Sequence, residues 1–130
     1  MHLRPLAFMI GTAACALAFA APAPAPVKAE INALLAALAS SGCEFQRNGS
    51  WHNAAEARSH LLRKLDYLEK KNLVKRTEDF IEGAASSSSM SGKAYQVRCA
   101  AGKAVESEGW MRSQLKVIRG GAAAAGEGAR

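Results

Sequence analysis

Residues 43–53 read CEFQRNGSWHN, and the fold turns on how this stretch is read. Phe45 alternates with polar neighbours, the two-residue period of a half-buried strand. Asn48-Gly49 is the strongest short hairpin signal, because both residues tolerate the positive φ that a tight turn requires. The reading is a short hairpin, 43–47 turning into 50–52. Asn53 then caps a helix, with Glu56 three residues later in a capping-box-like start.

Downstream, the period changes from two to between three and four. Ala54, Ala57, Leu61, Leu65 and Leu68 form the buried stripe of a helix over about 54–71, widened by Leu62. His60 and Lys64 are four apart and share one flank of it. Arg63 and Lys70 belong to a more solvent-facing arc. Upstream, Val27, Ile31, Leu34, Leu35 and Leu38 mark another amphipathic helix, stopped near Ser40-Ser41-Gly42. Thr77 is placed to cap a third helix, with Glu78 and Asp79 in its first turn and Phe80, Ile81, Ala84 and Ala85 on its apolar side. Tyr95, Val97 and Cys99 alternate with Gln96 and Arg98, a strand pattern. A last helix is expected from Ser107 or Glu108 to Ile118, contacting through Trp110, Leu115 and Ile118. The fold class is therefore α+β: about four helices packed on a small antiparallel sheet.

The chain has 130 residues, three of them cysteine. Its start reads as a secretory signal peptide over 1–20: His2 and Arg4, an uncharged apolar run from Leu6 to Ala20, and the small-x-small Ala18-Phe19-Ala20. That run is about 15 residues, short of the roughly 20 that a membrane span needs, so no transmembrane segment is expected in the mature chain. A lipoprotein anchored at Cys15 is the less favoured alternative, since apolar residues continue beyond it. An Ala-Pro spacer follows at 21–26, then one domain at 27–119, then a small, flexible tail at 120–130. Removing the signal leaves Cys43 and Cys99. An even pair in an exported chain reads as a disulfide, which places Tyr95–Cys99 beside the start of the hairpin. It would close a loop of about 57 residues, worth about 4 kcal/mol in chain entropy.

The net charge is +6 and falls to +5 without Arg4. In an exported protein this excess meets anionic headgroups or cell-wall polymers rather than nucleic acid; its plain reading is a solvated helix face. Two Cys and two His with no further ligand pattern make no metal site, and no cofactor is expected. The 86–95 stretch, SSSSMSGKAY, matches no phosphate loop, because Gly92-Lys93 is followed by Ala94. Nor is it a Ser-x-x-Lys nucleophile, because Met90 stands where Ser is needed. The candidate binding residues are Arg47 and Asn48 at the hairpin tip, Trp51 as a stacking face, His60 and Lys64 on the helix flank, and Ser91 and Lys93 in the loop. The hairpin tip, the helix flank and the 86–95 loop converge on one polar groove if the 95–99 strand pairs near the hairpin. No catalytic residue is assigned. The leading function is a non-catalytic periplasmic module that binds an anionic envelope component or an envelope protein. The alternative is a small hydrolase using His60 with a serine of 86–91.

These blocks together resemble the YfeK-like family, small exported bacterial proteins of unknown function. The resemblance rests on Phe45-x-Arg47-Asn48-Gly49, His60-Leu61 with Lys64-Leu65, Thr77-Glu78-Asp79-Phe80-Ile81, and the serine-rich stretch closing in Ser91-Gly92-Lys93 and Tyr95. It covers about Ala29 to Cys99. It implies a periplasmic address after a signal peptide, and no activity.

Overall fold

The computed structural model describes Gly11, residues 22–100 and residues 102–128, with the backbone alone from 123. Cys15 and Ala18-Phe19-Ala20, on which the signal-peptide reading turns, lie outside the described residues.

The helix expected at 27 begins earlier, as α1 over Ala25–Ser40. Pro26 lies in its first turn, where a missing N–H costs nothing. Pro24 holds the N-cap position, and its carbonyl accepts from the Lys28 N–H at 2.9 Å. The Ala-Pro spacer is thus partly folded. Ala23 is buried, and its N–H donates to Glu69 Oε2 at 3.0 Å. Gly42, at φ +70°, turns the chain out of α1.

The hairpin forms as the alternation dictates, β1 over Glu44–Arg47 and β2 over Ser50–His52. Arg47 pairs with Ser50, so Asn48 and Gly49 are the whole turn. Their φ values of 50° and 82° are those of a type I′ turn. Asn53 caps α2, Ala54–Lys70, by accepting from the Glu56 N–H at 2.9 Å. The expected box is only half made, because the Glu56 carboxylate turns to the His52 ring at 3.0 Å. α3 spans Thr77–Ala84, but Thr77 is not its cap. Arg76 holds the cap position, and Asp79 accepts from the N–H groups of Lys75 and Arg76. Thr77 is buried instead, and its hydroxyl donates to Glu30 at 2.6 Å.

β3, Gln96–Arg98, pairs antiparallel with β1, placing Phe45 opposite Val97. Cys43 and Cys99, just beyond the Glu44–Arg98 pair, are joined by a disulfide. β4, Val105–Glu106, completes a sheet of order β2-β1-β3-β4. α4 spans Ser107–Gly128. Where the sequence reading has a flexible tail from 120, the backbone is helical as far as Gly128; alanines, the best helix formers, fill 122–125.

One face of the sheet, with Phe45 and Val97, lies in the core. Against it pack Ile31, Leu34, Leu35 and Leu38 of α1, Leu61, Leu65 and Leu68 of α2, Phe80 and Ile81 of α3, and Met111 and Leu115 of α4. α1 sits at the centre and touches all three other helices. Gly83 lets α3 approach α2, since a Cβ there would stand 2.9 Å from Leu68 Cδ1. Around this core the architecture is α+β, as expected. No helix among the described residues is long and apolar enough to cross a membrane.

Candidate functional site

Tyr95 sits just before β3 with its ring in the core, 5.0 Å from Phe45 centroid to centroid. A buried tyrosine hydroxyl needs partners, and two polar side chains on the α2 flank supply them. Lys64 Nζ donates to the Tyr95 oxygen at 3.1 Å. The His60 Nε2–Tyr95 oxygen distance is 3.0 Å. Lysine can only donate, so the phenol proton is left for His60, whose Nε2 accepts it; the imidazole then carries its own proton on Nδ1. Lys64 also donates to the Ser87 carbonyl at 2.8 Å, pinning the 86–95 loop to α2.

The serine-rich loop is ordered by its own hydrogen bonds. Ser88 N–H donates to the Lys93 carbonyl, Gly92 N–H to the Ser88 carbonyl and Tyr95 N–H to the Ser86 carbonyl, all at 2.9 Å. Gly92 takes φ +72° to close the turn. The hairpin tip clamps the loop from outside: Ser91 Oγ donates to Asn48 Oδ1 at 2.7 Å, and Asn48 Nδ2 donates to Ser88 Oγ at 3.4 Å. Asn48, His60, Lys64 and Ser91 are therefore brought together as the sequence suggests. Trp51 is not with them. It lines up with Gln46, one residue out of phase with Phe45, so it projects from the opposite face of the sheet. There the Arg98 guanidinium stacks over its ring at 4.1 Å. Lys93 contributes its backbone to the loop, and its side chain is exposed.

Arg47 is the strongest charge acting on His60, Lys64 and Tyr95. It is half-buried, and neither its side chain nor that of Arg63 makes a hydrogen bond or ion pair among the described residues. The other arginines that meet acids include Arg76, Arg98, Arg112 and Arg119. Burial, then the charges of Arg47, Lys64 and Arg63, push His60 down to about 4, so its ring is neutral at neutral pH. Burial and Arg47 also lower Lys64. Burial raises Tyr95, with Arg47 opposing it. Beside this cluster an open cleft of about 390 Å³ runs between hairpin and helix, lined by Arg47, His52, Ala55, Glu56, Ser59 and Arg63. A second cleft, of about 330 Å³ near Pro22, differs: its Lys28 and Lys70 are already paired with Glu69 and Asp66.

Tyr95 and Arg63 are the functional candidates that the sequence reading passed over, taking one for a strand residue and the other for a solvated one. The signal for Tyr95 was present. It is the aromatic with a hydroxyl in an inward strand position, and such a hydroxyl must be answered. Among the described residues, no group of three His, Cys, Asp or Glu is placed to hold a metal. No hydrogen bond joins His60 to a serine; Ser91 gives its proton to Asn48 instead.

Fold and site define a small disulfide-tied α+β domain with an arginine-lined cleft beside a cluster of buried Tyr95 with half-buried His60 and Lys64. The chain belongs to DUF5329, a family of unknown function whose model matches residues 25–119. It is 48% identical over 69 residues to the uncharacterized protein YfeK of Salmonella typhimurium, a match covering 52% of this chain and 56% of that protein. The match thus spans little more than half the length of this curated relative. The resemblance to a YfeK-like family of unknown function therefore holds. No solved structure matches the chain.

Proposed function

We propose that this is an exported, periplasmic, non-catalytic module that binds an anionic group of an envelope component or envelope protein in the cleft at Arg47 and Arg63. One observation carries the reading: two arginines from different elements bracket an open cleft, and among the described residues no acid forms an ion pair with either side chain. Burial first, and then the charge of the half-buried Arg47, lowers both His60 and Lys64, so Arg47 adds repulsion to a neighbourhood that is already desolvated. An arriving carboxylate or phosphate relieves that repulsion and takes up the two guanidinium forks. Export enters from the signal-peptide pattern at 1–20 and from the disulfide, which suits an oxidising compartment. No observation favours the hydrolase reading, because His60 spends its buried nitrogen on Tyr95.

The test is capture from periplasmic extract by the purified mature protein, beside an Arg47→Ala/Arg63→Ala variant, at low and moderate salt. Lys64 is left in place, since it holds Ser87 and Tyr95 and its loss would disturb the loop. The reading expects a partner that the wild type retains and that the variant, or added salt, releases. Equal capture by both proteins would refute it.

A further inference from the structure

The cleft has an order of charge along it. Glu56, Ser59 and Arg63 stand at i, i+3 and i+7 of α2, so they form one line along the helix surface. Seven residues rise about 10 Å, which separates an acidic end at Glu56 from a basic end at Arg63. The hairpin wall faces the helix with two basic groups, His52 and Arg47. His52 lies against Glu56 at 3.0 Å, and Arg47 is the last strand residue before the turn. Glu56 is largely exposed, and its carboxylate has lone pairs beyond the one that His52 uses. The floor between the ends is short-chained, Ala55 and Ser59, so an extended backbone can approach the helix. The Ser59 hydroxyl has no partner among the described residues.

A purely anionic ligand would use the basic end and leave Glu56 facing it. A ligand with a carboxylate at one end and an ammonium at the other uses both. An extended peptide advances about 3.3–3.6 Å per residue, so three residues span about 10 Å, the distance between the ends. We infer that the cleft takes a short zwitterionic peptide of about three small residues, its carboxylate on Arg47 and Arg63 and its α-ammonium on Glu56. This rests on the anion-binding reading above and adds to it the second charge, the length and the direction of the ligand.

The experiment titrates the whole mature protein, followed by amide NMR, with three probes: tri-alanine, N-acetyl-tri-alanine and tri-alanine amide. Tri-alanine is expected to bind about three- to fivefold more tightly than the acetylated peptide, the scale of one exposed ion pair. It is expected to bind about tenfold more tightly than the amide, which cannot fill the arginine forks. In Glu56→Gln the preference over the acetylated peptide falls to about one, and the spectrum itself reports whether that variant is folded. Equal affinity for free and acetylated peptide, with the amide weaker, would overturn the zwitterion inference and leave the anion site standing. Equal affinity for acid and amide would overturn both, whereas no binding of any probe would overturn the peptide inference alone, since inorganic phosphate tests the anion site separately. The wild-type ranking decides between these outcomes even if the variant misfolds.

Discussion

Tyr95 has one hydroxyl and serves two partners, His60 and Lys64, which stand one turn apart on the same flank of α2. Tyr95→Phe keeps the ring and removes that oxygen, leaving the half-buried His60 Nε2 without its donor. Such a loss costs about 1–3 kcal/mol, to be read from urea unfolding; an unchanged midpoint would mean that water replaces the hydroxyl at no cost. His60 also makes stability depend on pH. The unfolded chain takes up a proton as pH falls through the ordinary histidine value of 6.5, whereas the folded chain resists until about 4. More protons on the unfolded state mean that stability is full above 6.5 and is lost as pH falls towards 4. His60→Gln should flatten the slope in that window, measured as unfolding midpoints at pH 7 and pH 5. Arg47→Ala should raise the His60 value, read by ring-proton NMR, because it removes the largest opposing charge. At this scale the sequence marked His60 and Lys64 as one flank, but it could not name Tyr95 as their partner. They are separated by more than thirty residues and meet only because β3 lies beside β1.

Asn48 belongs to two elements, since it makes half of the β1–β2 turn and also clamps the 86–95 loop. Asn48→Gly separates the roles. Glycine accepts the positive φ, so the hairpin should stay within about 1 kcal/mol, while the loop loses two hydrogen bonds. Faster amide exchange at Ser91 and Gly92 with an intact hairpin is the expected result. Unchanged exchange would show that the loop's own bonds suffice. The hairpin, α2 and the stripe of α1 were legible because each has a strong local signal: Asn-Gly at the turn, Asn53 at the cap, leucines three and four apart. The misreadings have physical causes too. β4 is two exposed residues, too short to show alternation. Thr77 has a capping side chain but spends it on Glu30 of α1, a contact 47 residues away. Pro24 and Pro26 look like a spacer, yet they serve as the start of α1 because the first turn of a helix needs no N–H donors.

On the scale of the whole molecule, the disulfide fastens the strand after the serine-rich loop to the strand that leaves α1. A domain of this size buries a limited core, so a crosslink across 56 positions carries a large share of its stability. Cys43→Ala/Cys99→Ala should cost about 4 kcal/mol by denaturant unfolding, from the entropy that the open loop regains. The pairing was legible from parity alone, the two cysteines left once the expected signal at 1–20 is set aside. The cleft was not, because it is made by the docking of hairpin on helix, and Arg63 looks in sequence like any solvated arginine. A binding role for this cleft requires that it attract an anion. The most direct measurement titrates inorganic phosphate into the labelled protein at low salt and maps the amide shifts. The expected map centres on Arg47, His52 and residues 55–63, with a rise in the His60 pKa as the added charge offsets Arg47, and both effects vanish in Arg47→Ala/Arg63→Ala. Shifts spread evenly over the exposed lysines, or unchanged in that variant, would contradict it.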